Sequence, residues 1–287
     1  MTLRSLEIFI SVVEEGTMHG AAKKLFISQP SVSGVISDLE NEYHIKLFER
    51  LGKKLYITPE GKKLYSFARR MISLNEEITM QMSNLENNIP IRIGASVTVG
   101  TYVISEIIED LNGPLPYVFI NNTNIIEQHL LNNDLDIALV EGQVQSNDLI
   151  SIPVIEDELK LICNPNHNLA KLSSVPLKVL SEENFIMREH GSGTRLLVDN
   201  AFSSLGITMN VLWECSNAQA ILNAVEHGFG ITILTPSLLP KDSNLISIPI
   251  EGEIMKRHFS VVYHKDKFFC SRLKKFLDLC QNYGCNR

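Results

Sequence analysis

Three short stretches in the later two-thirds of the chain carry the residue types that hold an anion: Ser96-Val97-Thr98, Gly191-Ser192-Gly193-Thr194 and Ser216-Asn217. Each follows an apolar run of strand character and precedes a helical pattern. Hydroxyls and unpaired backbone N–H groups are thereby set at the positive end of a helix, which favours a carboxylate or inorganic anion. The two glycines permit close backbone approach and unusual dihedrals. The segment is not a Walker loop, because the spacing is too short and no lysine follows in the required place. Plainer readings stand beside this one. Gly191 to Thr194 could be a turn with Thr194 capping its helix and Arg195 facing solvent. Ser96 and Thr98, or Ser216 and Asn217, could be simple caps, and His190 a solvated loop residue.

A second constellation, Gly16 to Arg50, has the chemistry of nucleic-acid contact. Ser28 can cap a helix in which Pro30 sits in the first turn. Val32, Val35, Ile36 and Leu39 recur at helical spacing, while Gln29, Ser31, Ser33 and Ser37 occupy the opposite face. A buried inner face and an outer face of short hydrogen-bonding groups are what a recognition helix needs to reach base edges. Gln29, Pro30, Ser31, Ser33 and Ser37 are therefore candidate DNA-binding residues. Arg50, Lys53 and Lys54, with Lys46, cluster about the Gly52 turn and would sit near phosphates. An ordinary helical hairpin and a solvated charged turn are the alternatives.

Other classes of chemistry find little support. There is no nucleophile–base pair, no H-E-x-x-H, no EF-hand loop and no Rossmann fingerprint. The five cysteines show no CxxC pairing and the eight histidines no ligand spacing, so we expect reduced thiols and no metal. No apolar run approaches the ~18 residues a membrane helix needs. The N-terminus lacks the regions of an export signal, which points to the cytoplasm. Net charge is −7, but residues 1–70 hold eleven Lys and Arg against eight Asp and Glu, so that this segment carries +3 and the remainder −10. A mildly basic head on an acidic body fits a DNA-binding module joined to a sensor.

The elements that must position these groups follow from periodicity. Leu6, Phe9, Ile10 and Val13 share one face of a first helix, Leu3 to Glu15, with Thr2 as cap and Gly16 as stop. A short hairpin, Leu47–Arg50 and Leu55–Ile57, makes a wing. Thr58 caps a long helix that runs from Pro59 to about Asn87, spanning about 42 Å. Leu64, Met71, Ile78 and Leu85 fall seven apart, with Phe67 and Leu74 between them and Gln81 breaking the pattern, a coiled-coil seam that would pair two copies. From Ile91 strands and helices alternate: strand 91–95, helix 99–111, strand 117–121, helix 125–132, strand 135–140. Strands 150–155 and 158–163 lead to a second lobe with strand 184–188, helix 194–205, strand 211–214, helix 218–227 and strand 230–234. Strand 256–264 leads back, and a final helix, 268–282, packs on the first lobe. This predicts a mostly parallel α/β arrangement in two lobes.

The pattern AA..L..SQPSVS...S.LE......LF.R from Ala21 to Arg50, followed by TPEG at Thr58 to Gly61, resembles the LysR-type transcriptional regulators. The resemblance implies an α+β multidomain chain: a winged helix-turn-helix at 1–58, a linker and dimerisation helix at 59–88, and a two-lobed periplasmic-binding-protein-like sensor at 89–287. Lobe I would hold about 89–162 and 266–287, lobe II about 163–265. It implies no enzyme activity and no cofactor. The expected partners are promoter DNA of pseudo-palindromic sequence, a second copy or a tetramer built as a dimer of dimers, and RNA polymerase if the output is activation. A small-molecule effector, an organic acid or inorganic anion, would sit in the inter-lobe cleft. Two residues depart from the family pattern. His19 stands where a short hydroxyl is common, and Gly34 where a longer polar side chain usually faces the groove. The rival classes are a small-molecule enzyme or transport-type binding protein with a helical appendage, and a DNA-binding protein whose sensor has lost its ligand.

Overall fold

The computed structural model describes residues 1–51, 54–82, 90–252 and 255–285. The chain divides into two compact units, residues 1–86 with 131–134 and residues 87–130 with 135–287.

In the N-terminal unit, Thr2 caps α1 (Leu3–Glu15) reciprocally with Ser5, and Gly16, at φ 64°, ends it. Such a paired cap satisfies two N–H groups that the helix leaves open. Thr17 caps α2 (Met18–Leu25), and Ser28 caps α3 (Gln29–Tyr43) by accepting from the Ser31 N–H. Ala21 and Ala22 are buried, and with Val32, Ile36 and Leu39 they pack on Leu6, Phe9 and Val12 of α1. β1 (Phe48–Leu51) and β2 (Lys54–Ile57) form the antiparallel wing, with Phe48 opposite Ile57. Thr58 joins the wing to α4 (Pro59–Met82): its hydroxyl donates to the Lys46 carbonyl at 2.7 Å and accepts from the Gly61 N–H at 2.9 Å. A Cβ on Gly61 would lie 2.4 Å from the Leu47 carbonyl, so only glycine fits there. Along α4, Leu64, Ala68 and Ile72 face the unit's own core, whereas Phe67, Met71, Leu74 and Ile78 form an exposed apolar stripe. Leu64, predicted in the pairing seam, is thus used internally. Leu85, and the side chain of Gln81, lie outside the described residues.

The C-terminal unit opens with β3 (Arg92–Ser96) and runs on through α5 (Val97–Tyr102), α6 (Ile104–Glu109), β4 (Tyr117–Asn121), α7 (Thr123–Leu131) and β5 (Ile137–Glu141). The helix predicted over 99–111 is broken at Val103, in a run rich in β-branched residues and a glycine that favours helix weakly. β6 (Leu149–Glu158) and β7 (Lys160–Cys163) follow. Then come β8 (Asn184–Arg188), α8 (Gly193–Ser204), β9 (Asn210–Cys215), α9 (Ala218–Glu226), β10 (Thr232–Leu234), β11 (Ile246–Ile248), β12 (Lys256–His264) and α10 (Ser271–Cys285).

The first lobe's sheet has the order β4-β3-β5-β12-β6. β3, β4 and β5 are parallel, as βαβ connections require, but β12 lies antiparallel between β5 and β6. The lobe boundaries expected at 163 and 265 shift accordingly. The chain crosses over at Leu159, where β7 leaves to centre the second lobe's antiparallel sheet β10-β7-β11. It returns at Lys256, because all of β12 pairs with β6 of the first lobe. Register rather than periodicity decides this, since β7 and β12 read alike as apolar strands. The second lobe is completed by the parallel pair β8-β9. Ile93, Val99, Ile107, Leu139, Val261 and Phe276 of α10 build the first lobe's core. Phe185, Met187, Val198, Phe202 and Ile233 build the second. Each such side chain contributes about 1.5–3 kcal/mol by leaving water.

Candidate functional site

Residues of both lobes meet at Glu141, the last residue of β5. Five successive buried residues end at this carboxylate, which is 1% exposed. Gly142, at φ 82°, then turns the chain away. The Glu141 N–H donates to Ser96 Oγ at 3.2 Å, and its carbonyl accepts from the Thr123 hydroxyl at 2.9 Å. Ser96 stands at the N-cap position of α5 without a side-chain cap bond; its hydroxyl instead ties the end of β3 to the end of β5.

The second lobe approaches through its glycine loop. Ser192 caps α8, so Thr194 is free of that role and lies 1% exposed, its hydroxyl donating to Glu141 Oε1 at 3.2 Å. A Cβ on Gly193 would fall 2.1 Å from the Glu141 carbonyl. This glycine is what permits α8 to meet β5. Gly191, at φ 93°, supplies the preceding turn, and its carbonyl accepts from the Asn124 N–H.

Two arginines complete the cluster. Arg188, at the end of β8, is fully buried and holds Glu189 through Nε and Nη2 at 2.8 and 3.0 Å. Arg257, from β12, binds Asp157 at 2.6 Å and donates to the Thr194 hydroxyl at 2.8 Å. Each guanidinium also stands 3.7 Å from a Glu141 oxygen, Arg188 from Oε1 and Arg257 from Oε2, beyond hydrogen-bond reach. Arg188 Nη1, Arg257 Nη2, Glu141 Oε2 and Thr98 Oγ1 are all buried without a hydrogen-bond partner. Arg188 Nη1, Arg257 Nη2 and Glu141 Oε2 belong to one cluster, and buried polar atoms of this kind are costly unless something joins them.

The other predicted residues fall elsewhere. Val97 is half-buried and its carbonyl accepts from Thr101. Ser216 and Asn217 are exposed, and Asn217 caps α9 through Gln219 and Ala220. Arg195 does not face solvent; it is buried and paired with Asp199. His190 is exposed, 3.5 Å from Glu214. Glu141, Arg188, Arg257 and Asp157 are not among the residues that sequence spacing singles out. A hollow of about 400 Å³ also borders Gly193 and Arg257, walled by Pro153, Leu196, Lys256 and His258.

On α3 the outer face is as its spacing predicts: Gln29, Pro30, Ser31 and Ser37 are exposed and Ser33 half-exposed. The Ser31 hydroxyl lies 2.7 Å from that of Ser28. A Cβ at Gly34 would meet nothing within 4 Å. Arg50 and Lys54 lie on the wing strands, their side chains outside the described residues, as is Lys53 altogether.

Residues 3–62 match the family described as bacterial regulatory helix-turn-helix protein, lysR family, and residues 86–284 match the LysR substrate binding domain. The chain belongs to the LysR family of transcriptional regulators. It is 32% identical to the uncharacterized HTH-type transcriptional regulator YeiE of Escherichia coli K12, with 98% of this chain and 97% of the relative covered. The regulatory domain of Synechocystis PCC6803 CcmR, in complex with 2-PG, is 28% identical with a TM-score of 0.63, covering 69% of this chain and 98% of that one. Full-length CbnR complexed with target DNA shares the fold at a TM-score of 0.64 and 19% identity, covering 98% and 99%. This LysR-type protein is thus a ligand-responsive transcriptional regulator with an effector-binding domain; its family is one of regulators, not enzymes. Among the described residues no helix is long and apolar enough to cross a membrane, and no group of His, Cys, Asp and Glu is arranged to hold a metal.

Proposed function

We propose that this LysR regulator binds pseudo-palindromic promoter DNA as a dimer, or as a dimer of dimers, in the cytoplasm, and that an anionic co-inducer controls it from the cluster around Glu141. The observation that carries the effector reading is the set of buried donors without partners: Arg188 Nη1, Arg257 Nη2 and Thr98 Oγ1. Ser96, Thr98, Gly193 and Thr194 remain in the proposed site; Ser216 and Asn217, exposed beyond β9, do not. The likeness to a CcmR regulatory domain in complex with 2-PG supports a small-molecule ligand for the sensor.

On the DNA side, Gln29, Pro30, Ser31, Ser33 and Ser37 read bases, while Arg50, Lys53 and Lys54 hold phosphates. One recognition helix touches too few base pairs to be specific, so two are needed. The exposed stripe Phe67, Met71, Leu74 and Ile78 is the surface that pairs them. Ligand affects DNA only through differential affinity for two states of the sensor, which alters the spacing of recognition helices and, in an activator, contact with RNA polymerase. A mobility shift on the DNA upstream of the protein's own coding region tests the reading. Wild type should give a complex that responds to effector, and Thr98→Ala with Thr194→Ala should bind DNA without responding. A wild-type chain that leaves this DNA unshifted would refute it.

A further inference from the structure

We propose that Glu141 makes the cleft selective for oxyanions that still carry a hydroxyl, whose proton it accepts on Oε2 while Arg188 and Arg257 take the anionic oxygens. This rests on the reading that the cluster is the effector site.

A threonine hydroxyl has one proton. That of Thr194 goes to Glu141 Oε1, and its oxygen accepts from Arg257, so Thr194 has no donor left for a ligand. Glu141 Oε2 remains an acceptor with no donor, 3.7 Å from Arg257 Nη2. Its backbone is pinned by Ser96 and Thr123 on one side and walled by Gly193 on the other, so this carboxylate is held in place at both main-chain ends. Each guanidinium stands 3.7 Å from a Glu141 oxygen, so a ligand that takes hydrogen bonds from both must lie against that carboxylate.

Charge sharpens the requirement. Arg188 and Arg257 face three carboxylates, Glu141, Asp157 and Glu189, within ion-pair distance. The cluster is already negative by one before anything enters. A fully deprotonated oxyanion would bring further negative charge against Glu141 with no proton to bridge the two oxygens, and in a buried cleft that repulsion is large. An oxyanion bearing a hydroxyl turns the same contact into a charge-assisted hydrogen bond. Discrimination then comes from an unfavourable contact built against the wrong ligand as much as from attraction for the right one. The arginines supply affinity for anions in general, and Glu141 supplies the choice among them.

Isothermal titration of the full-length chain at pH 7 with inorganic phosphate and with sulfate tests this. Both are tetrahedral, but phosphate retains a hydroxyl at that pH and sulfate does not. Wild type should bind phosphate at least roughly 100-fold more tightly, as sites built around a ligand hydroxyl do. Glu141→Gln, whose amide offers both a donor and an acceptor, should admit sulfate and bring the ratio to within a few-fold. Arsenate against selenate on wild type repeats the comparison without depending on the variant's folding. Equal binding of the paired anions by wild type, or an undiminished ratio in a folded Glu141→Gln, overturns the selection alone. Absence of binding by all four anions overturns the anion-site reading and the selection with it.

Discussion

The Thr194 hydroxyl donates to Glu141 Oε1 at 3.2 Å and accepts from Arg257 at 2.8 Å, so that one second-lobe side chain bridges a carboxylate and a guanidinium of the first-lobe sheet. Thr194→Val keeps the shape and removes both bonds. Leaving those buried partners unpaired should cost about 1–3 kcal/mol in the urea unfolding of the C-terminal unit. The same variant should weaken effector binding, as should Thr98→Ala. Undiminished ligand affinity in both would remove the effector site from this cleft.

Gly193 should tolerate no side chain. With the Glu141 carbonyl 2.1 Å from a would-be Cβ, Gly193→Ala must push α8 away from β5. We expect a loss of about 1–3 kcal/mol and of effector response, with DNA binding by the N-terminal unit retained. Thermal unfolding and a mobility shift on the same preparation would show it. Gly206→Ala, where the added Cβ meets nothing within 4 Å, controls for the loss of a glycine alone, although its φ of 68° carries its own strain.

Asp136 gives the first lobe an acid limit. Burial raises its pKa, but the hydrogen-bonded Arg92, at 2.6 Å, and Lys267, at 3.0 Å, outweigh burial and hold it below the usual carboxylate range. A folded-state pKa below the unfolded value of about 3.9 means the stabilisation is complete above that pH. It is lost as pH falls through the folded value. Asp136→Asn should lower stability at pH 7 by roughly 1.5–3 kcal/mol and flatten the acid limb of the stability curve. Parallel curves for the two proteins below pH ~4 would contradict the assignment.

On the recognition helix, Gly34→Gln places a long polar side chain in open space on the exposed face. Removing the glycine should also strengthen the helix by up to ~1 kcal/mol. Base preference at one position of the operator should change, as read by binding to a randomised duplex library. An unchanged preference at every position would mean that this face does not reach the bases. Lys53→Ala with Lys54→Ala should instead weaken binding on all sequences and reduce the salt slope by up to about two.

Much of this was legible in the residues. Thr2, Ser28 and Thr58 announce helix starts because a hydroxyl before an apolar-periodic run has one local task, and all three cap as their positions predict. The break at Val103 was hidden, since apolar residues continue in phase across it. β12's place was hidden too, because antiparallel insertion between β5 and β6 is a matter of register 100 residues apart, as the Arg257–Asp157 pair shows. In the cleft, hydroxyls beside glycines are legible from their spacing while the charges are not. Arg188, Glu141 and Arg257 each look like a lone surface charge until three separate strands bring them together. One signal was present: Glu141 closes the apolar run Ile137–Val140 immediately before a glycine, and a charge so placed ends a buried strand at a sheet's carboxyl edge, where ligands bind.

Two copies are proposed to pair through the α4 stripe and so present two recognition helices to DNA. Sedimentation of the purified full-length chain with a labelled duplex from its own upstream region, at low ionic strength, tests it most directly. We predict a duplex that co-sediments with two or four protomers. A monomer that leaves the duplex sedimenting alone would contradict the account.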